Sequence, residues 1–238
     1  MSIDENIARV RARIAAAAAR VRRRPEDITV MAVSKTVEPE RIREAYAAGL
    51  RVFGENRVQE WQQKQPVVAQ LIGASDQLRM HLIGPLQSNK TARAAELFDA
   101  IDSVDSLRIA TRLNQAAIQL NKKLPILIEV KLSPEETKHG VLPDELPGLL
   151  QELTQLPALL PLGLMTVPPW SEEQETARPY FRQLRRIRDG LITQCPTLTQ
   201  LSMGMSNDFL VAIEEGSTCV RIGTALFGKR QYARRADE

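Results

Sequence analysis

Short apolar runs alternate with longer amphipathic stretches along the whole chain. Ile3, Ile7, Val10, Ile14, Ala18 and Val21 stand three or four residues apart, which predicts an amphipathic helix over residues 2–24, stopped by Pro25. A β-branched and apolar run then predicts a buried strand over 28–34, and Glu38-Pro39-Glu40 opens a helix over 38–48 closed by Gly49. Further strands are expected at 52–55, 80–83, 100–104, 125–132, 160–166, 200–203 and 218–222. The helices between them are expected to run through Trp61 to Gln70 and over 88–97, 106–120, 143–156, 172–193 and 207–215. Eight strand–helix units with one extra N-terminal helix fit a (β/α)8 TIM barrel of the α/β class. The 238 residues fill one such domain, 1–238, with a basic tail at 229–238. A doubly wound open sheet is the alternative that periodicity does not separate from it.

Composition narrows the class. A hydrophobic content of 43% with 4% aromatics supplies a large aliphatic core. Lys+Arg 32 against Asp+Glu 29 gives only +3, with the two signs interspersed, so a nucleic-acid partner is not expected. The arginines of the first helix read as a solvated face. Two cysteines, Cys195 and Cys219, suit a reducing compartment better than a disulfide framework. No apolar run approaches the roughly 18 residues of a membrane span, and no cleavable leader is evident. A soluble, cytoplasmic protein is expected.

In a barrel the chemistry sits at the C-terminal ends of the strands. Lys35 leaves the first predicted strand. Its stem would lie against apolar walls, and desolvation of the amine would favour the neutral form needed for Schiff-base chemistry; the plainer reading is a lysine that snorkels to the surface. Asn56 follows the second strand, and His81 and Gly84 belong to the third. Met203-Gly204-Met205-Ser206 ends the seventh, and Arg221-Ile222-Gly223-Thr224 the eighth. Ser206-Asn207-Asp208 is a helix-start signature and Gly223-Thr224 pairs a close-approach backbone with a hydroxyl, in the two loops where barrels most often hold phosphate. Each alone is a common cap or turn. A phosphate site opposite an amine nucleophile describes pyridoxal 5′-phosphate.

Other constellations carry less. Two histidines, His81 and His139, without carboxylate or Cys at ligand spacing do not make a metal site. His81 reads as a hydrogen-bonded pocket residue, Ser103 and Asp105 as helix caps, and Met165, Met203 and Met205 as pocket and core packing. Trp61 and Trp170 carry no specific signal, and glycine-rich nucleotide loops are lacking.

Six stretches together resemble one known family. They are Ala32-Val33-Ser34-Lys35-Thr36, Phe53-Gly54-Glu55-Asn56-Arg57-Val58-Gln59-Glu60 and His81-Leu82-Ile83-Gly84-Pro85-Leu86-Gln87-Ser88-Asn89-Lys90. The others are Gly163-Leu164-Met165-Thr166, Leu201-Ser202-Met203-Gly204-Met205-Ser206-Asn207-Asp208 and Val220-Arg221-Ile222-Gly223-Thr224-Ala225-Leu226-Phe227-Gly228. On these the chain resembles the pyridoxal phosphate homeostasis proteins, the YggS/PROSC group. The resemblance implies a barrel like the N-terminal domain of alanine racemase (fold type III), with pyridoxal phosphate as an aldimine on Lys35. It implies that Ser206, Gly223 and Thr224 hold the phosphate, that Asn56 lines the ring and that Arg221 faces the pyridine nitrogen, with His81 and Met203 expected beside them as the pocket residues read above. A donor-only guanidinium there would leave that nitrogen unprotonated and the cofactor a weak electron sink. The implied function is intracellular homeostasis of the cofactor without established turnover, affecting amino-acid and keto-acid pools. Pyridoxal-phosphate-dependent apoenzymes would be the acceptors, and the chain would be a monomer. The alternative is a single-domain, racemase-like enzyme using Lys35 as its base; the racemases' C-terminal β-domain has no counterpart expected here. Met80 and Lys131 depart from the family pattern at positions expected to flank the pocket, and Lys138 matches a further family lysine.

Overall fold

The computed structural model describes residues 2–73, 78–133, 135 and 139–228. Lys138 and the basic tail at 229–238 lie outside them. Eight parallel strands close into a barrel in sequence order, and β1 (Thr29–Val33) pairs with β8 (Cys219–Ile222) to shut it. The others are β2 (Val52–Glu55), β3 (Arg79–Leu82), β4 (Ala100–Val104), β5 (Leu124–Glu129), β6 (Leu159–Met165) and β7 (Gln200–Met205). The open-sheet alternative is thereby excluded. The first helix, α1 (Ile3–Arg20), precedes β1, and α2 (Pro39–Ala47), α3 (Val58–Ile72), α4 (Thr91–Leu97) and α5 (Leu107–Gln119) follow successive strands. After β5 come α6 (Leu146–Leu153), α7 (Arg178–Leu191), α8 (Phe209–Glu214) and a short α9 (Thr224–Phe227) after β8.

Local chemistry explains where these elements begin and end. Ser2 and Glu5 form a reciprocal capping box at the start of α1. That helix stops at Arg20 and does not reach residue 24, because Arg22 takes the left-handed φ of 56° and the Arg23 N–H returns to the Ala18 carbonyl. Its buried face, Ile3, Ile7, Val10, Ile14, Ala17 and Ala18, packs on α8 and α9, and the buried Asn6 amide donates to the Leu226 carbonyl at 2.8 Å. β5 ends at Glu129, short of residue 132, because Val141 folds back on the strand end, its N–H donating to the Glu129 carbonyl and its carbonyl accepting the Lys131 N–H. β7 runs two residues beyond its expected end. Between Ser202 and Met205 its register against β8 slips by one residue, with Gly204 at a φ of 95°.

The hydrophobic core lies between barrel and helices, where Phe53, Phe98, Phe181 and Phe209 are fully buried. Met80 also packs there, so it belongs to the core and does not flank the pocket. Ser103 and Asp105 do not cap α5; the Ser103 hydroxyl donates to the Gly84 carbonyl at 2.7 Å, while Asp105 accepts from Ser106. Inside the barrel His81 Nδ1 stands 3.0 Å from the Asp102 carboxylate, in a cavity of about 420 Å³ that opens at the N-terminal ends of the strands beside Arg79, Asp99 and Lys123. Burial disfavours the charged imidazole, but Asp102 outweighs it and the His81 pKa lies above its ordinary 6.5.

Two outcomes follow from this packing. A methyl added at Gly163 would stand 2.1 Å from the Gln200 carbonyl oxygen across the β6–β7 ladder. Gly163→Ala should therefore lose about 1–3 kcal/mol in urea unfolding, the usual cost of overpacking; an unchanged midpoint would contradict the tight approach. The raised His81 pKa means that the folded state binds the proton more tightly than the unfolded one. That stability is fully present below the unfolded pKa and is lost as pH rises through the folded value. Urea midpoints should drop on raising the pH above about 6.5, and His81→Asn should remove that step.

Candidate functional site

The site is assembled where the barrel closes. In-register pairing of Met31 with Arg221 and of Ala32 with Ile222 brings the ends of β1 and β8 side by side. Side chains alternate along a strand, so Met31, Val33 and Lys35 share one face, and Val33 and Lys35 line a cavity of about 380 Å³ at the C-terminal mouth. Asn56, Ser206, Arg221, Gly223 and Thr224 line the same cavity. A second cavity of about 440 Å³ shares Lys35, Gly223 and Thr224 and extends to Arg41 on α2. Six of the eight residues expected from the sequence are therefore together.

Two are elsewhere. His81 faces the opposite mouth, hydrogen-bonded to Asp102, and it is Ile83 from the same strand end that lines the cavity. Met203 is fully buried in the layer between barrel and helices. Met203 follows Ser202, whose hydroxyl faces inward to Arg221, so ordinary alternation turns Met203 outward; the slip before Met205 then brings Met205, two residues on, into the cavity lining instead.

Each polar group in the cavity has a fixed setting. The Arg221 side chain is only 4% exposed, and its Nη1 donates to the Ser202 carbonyl at 2.7 Å and hydroxyl at 2.8 Å. Its Nη2 donates to the Thr166 carbonyl at 2.8 Å. Burial pulls the guanidinium pKa down, while the Asp102, Glu129 and Asp208 carboxylates act against that. The Ser206 hydroxyl accepts from the backbone N–H groups of Gly223 at 3.2 Å and Ala225 at 3.3 Å, which ties the seventh loop to the eighth. Hydroxyls and paired N–H groups converge here as an anion would require. Asn56 is held by close packing: a methyl at Gly84 would stand 2.3 Å from its carbonyl oxygen.

Sequence reasoning missed several lining residues. Trp170 is 74% exposed at the cavity rim, and its loop is tied down by the Asn207 amide, which donates to the Ser171 carbonyl at 2.8 Å. Arg41 had no local signal, since its place depends on how α2 docks. Asp208 lines the cavity with its Oδ1 accepting the Met205 N–H at 2.6 Å, and burial raises its pKa. Among the described residues no cluster of His, Cys, Asp or Glu could hold a metal ion, and no helix is long and apolar enough to cross a membrane.

The chain matches the family described as alanine racemase, N-terminal domain, over residues 6–231. It is 45% identical over 233 residues to the pyridoxal phosphate homeostasis protein of Aquifex aeolicus, covering 98% of this chain and 100% of that one. The pyridoxal phosphate homeostasis protein of Escherichia coli K12 is likewise 45% identical over 235 residues, with coverages of 98% and 99%. Among solved structures, PipY of Synechococcus elongatus PCC7942 with pyridoxal phosphate bound superposes at a TM-score of 0.84 and 40% identity, covering 95% of this chain and 100% of that one. An alanine racemase from Clostridium difficile 630 shares the fold at a TM-score of 0.69 and 16% identity, and the chain spans 98% of itself and 58% of that enzyme. A barrel closed at Lys35 and Arg221, and full-length identity of this order, lead to one conclusion: the chain belongs to the pyridoxal phosphate homeostasis protein family, within the alanine racemase N-terminal domain fold.

Proposed function

We propose that this protein binds pyridoxal 5′-phosphate at the C-terminal mouth of its barrel and serves the intracellular homeostasis of that cofactor. One observation carries the reading: an amine, a buried guanidinium and a hydroxyl-and-amide anion cradle line a single cavity. That donor set fits a ligand with an aldehyde at one end and a phosphate at the other. The cofactor when bound supplies an aldehyde whose oxygen leaves as water when the Lys35 amine takes its carbon, and a ring able to draw electrons from that nitrogen.

The chain's own residues then divide the work. Lys35 is the covalent anchor. Ser206, Gly223 and Thr224 receive the phosphate, with Arg41 adding charge from the adjoining cavity. Arg221 is a donor-only cation immobilised by Ser202 and Thr166, so it opposes protonation of any ring nitrogen placed against it. Asn56 walls the ring side, and Trp170 lies over the rim. The cavity lining supports a binding role more than turnover. Lys35 is its one amine and Asp208 its one carboxylate among the described residues, and Asp208 already accepts the Met205 N–H. Acceptors for the held cofactor would be apoenzymes that use it, and the free thiols of Cys195 and Cys219 suit the cytoplasm.

Three experiments test the reading. Purified protein incubated with pyridoxal phosphate should gain a visible absorption band, and borohydride should leave a pyridoxyl group on the peptide containing Lys35. Lys35→Ala should abolish both, and a colourless, unmodified wild type would refute the assignment. Ser206→Ala removes one hydroxyl from the anion cradle and should weaken binding by about 1 kcal/mol, roughly fivefold. Amino acids incubated with the protein in heavy water should show no Lys35-dependent exchange of the α-proton; rapid exchange would favour the racemase-like alternative.

A further inference from the structure

The turn that presents Lys35 is gripped from behind by a charged cluster that touches none of the cavity. Thr36 sits at a φ of 62°, the left-handed region that a β-branched residue ordinarily avoids. Its hydroxyl donates to the Lys35 carbonyl at 2.6 Å, and its N–H is taken by the Glu60 carboxylate from α3. Lys64, one turn further along α3, donates through Nζ to the Ser34 carbonyl at 2.9 Å and to Glu60 at 2.6 Å. The same ammonium reaches Glu55 at 3.0 Å; Glu55 is wholly buried and accepts the Ser34 hydroxyl at 2.8 Å. Both peptide groups flanking Lys35 are thus held, the preceding one through its carbonyl and the following one through its carbonyl and its N–H.

Gluing α3 to the barrel would not need this arrangement. Apolar side chains do that without desolvating three charges, and a buried ion cluster is weak evidence for stability. The bonds converge instead on residues 34–36, the segment that aims the lysine. We propose that Lys64 and Glu60 are positioning residues for Lys35, fixing the strained turn so that the amine projects into the cavity. The assignment rests on Lys35 being the cofactor's anchor. A side chain held by its supporting shell loses little orientation on reacting, and a loosened one loses much.

The test compares wild type, Lys64→Met, Lys64→Arg, Glu60→Ala and Lys35→Ala by titration with pyridoxal phosphate, by the position and intensity of the visible band, by borohydride trapping and by thermal midpoint. Lys64→Met and Glu60→Ala should bind on the order of tenfold more weakly, with a displaced or weakened band and less trapped Lys35. Lys64→Arg, which keeps a charged donor, should recover part of the loss. Folded variants that keep the wild-type affinity and band, whatever their thermal midpoint, would overturn the proposal. Should Lys64→Met fail to fold, Glu60→Ala decides alone, because it leaves the Lys64–Glu55 pair in place. A wild type that forms no adduct on Lys35 would instead overturn the functional reading and this assignment with it.

Discussion

Closure of the barrel between its first and last strands is the constraint on which the site depends. Lys35 and Arg221 are far apart in the chain, yet the register of β1 against β8 places Val33 beside Gly223, so close that a methyl added at Gly223 would stand 3.6 Å from the Val33 side chain and carbonyl. From there the positions of the Lys35 amine, the Ser206, Gly223 and Thr224 groups and the buried Arg221 cation around one cavity follow from strand alternation and the two adjoining loops. An open sheet would leave these two strands at opposite edges or on different faces. The same closure explains why α1 packs against α8 and α9: the N-terminal helix covers the seam where the ends of the chain meet.

Around that seam the structure uses two kinds of polar burial. Arg221 is immobilised by neutral partners, two carbonyls and a hydroxyl, and its charge is balanced at longer range by Asp102, Glu129 and Asp208. Behind Lys35 the compensation is direct, with one ammonium between two carboxylates. Burial raises the Glu55 pKa even against the pull of Lys64, a sign of how much desolvation the cluster tolerates. Charges kept at such cost and bonded to the backbone at a strand end hold geometry in place.

The two mouths of the barrel are chemically distinct. The upper one has an amine, hydroxyls and backbone N–H groups for an anionic aldehyde; the lower one encloses the His81–Asp102 pair with charges of both signs around it. Asp102 acts electrostatically on both His81 and Arg221, so one buried carboxylate influences a group at each mouth.

Much of this was legible in the residue order. Periodicity is a local property, so eight strands, their helices and the polar residues at Lys35, Asn56, Ser206, Arg221, Gly223 and Thr224 could be read from neighbours in sequence. An amine facing two phosphate-type loops already suggested the cofactor, and the resemblance to a known family joined these residues into one expected site. What only the tertiary structure decided were matters of register and docking. A one-residue slip near Gly204 brought Met205 into the cavity while Met203 stayed in the outer core, and no local pattern marks which residue of an apolar run is the extra one. His81 lies on the inner face as expected, but that face serves two mouths, and its bond to Asp102 assigns it to the lower one. Lys64, Glu60 and Arg41 carry no local signal that sets them apart from other polar helix residues. Their places beside the strand ends appear only once α2 and α3 are laid against the barrel, because contacts between distant segments depend on how the whole barrel packs.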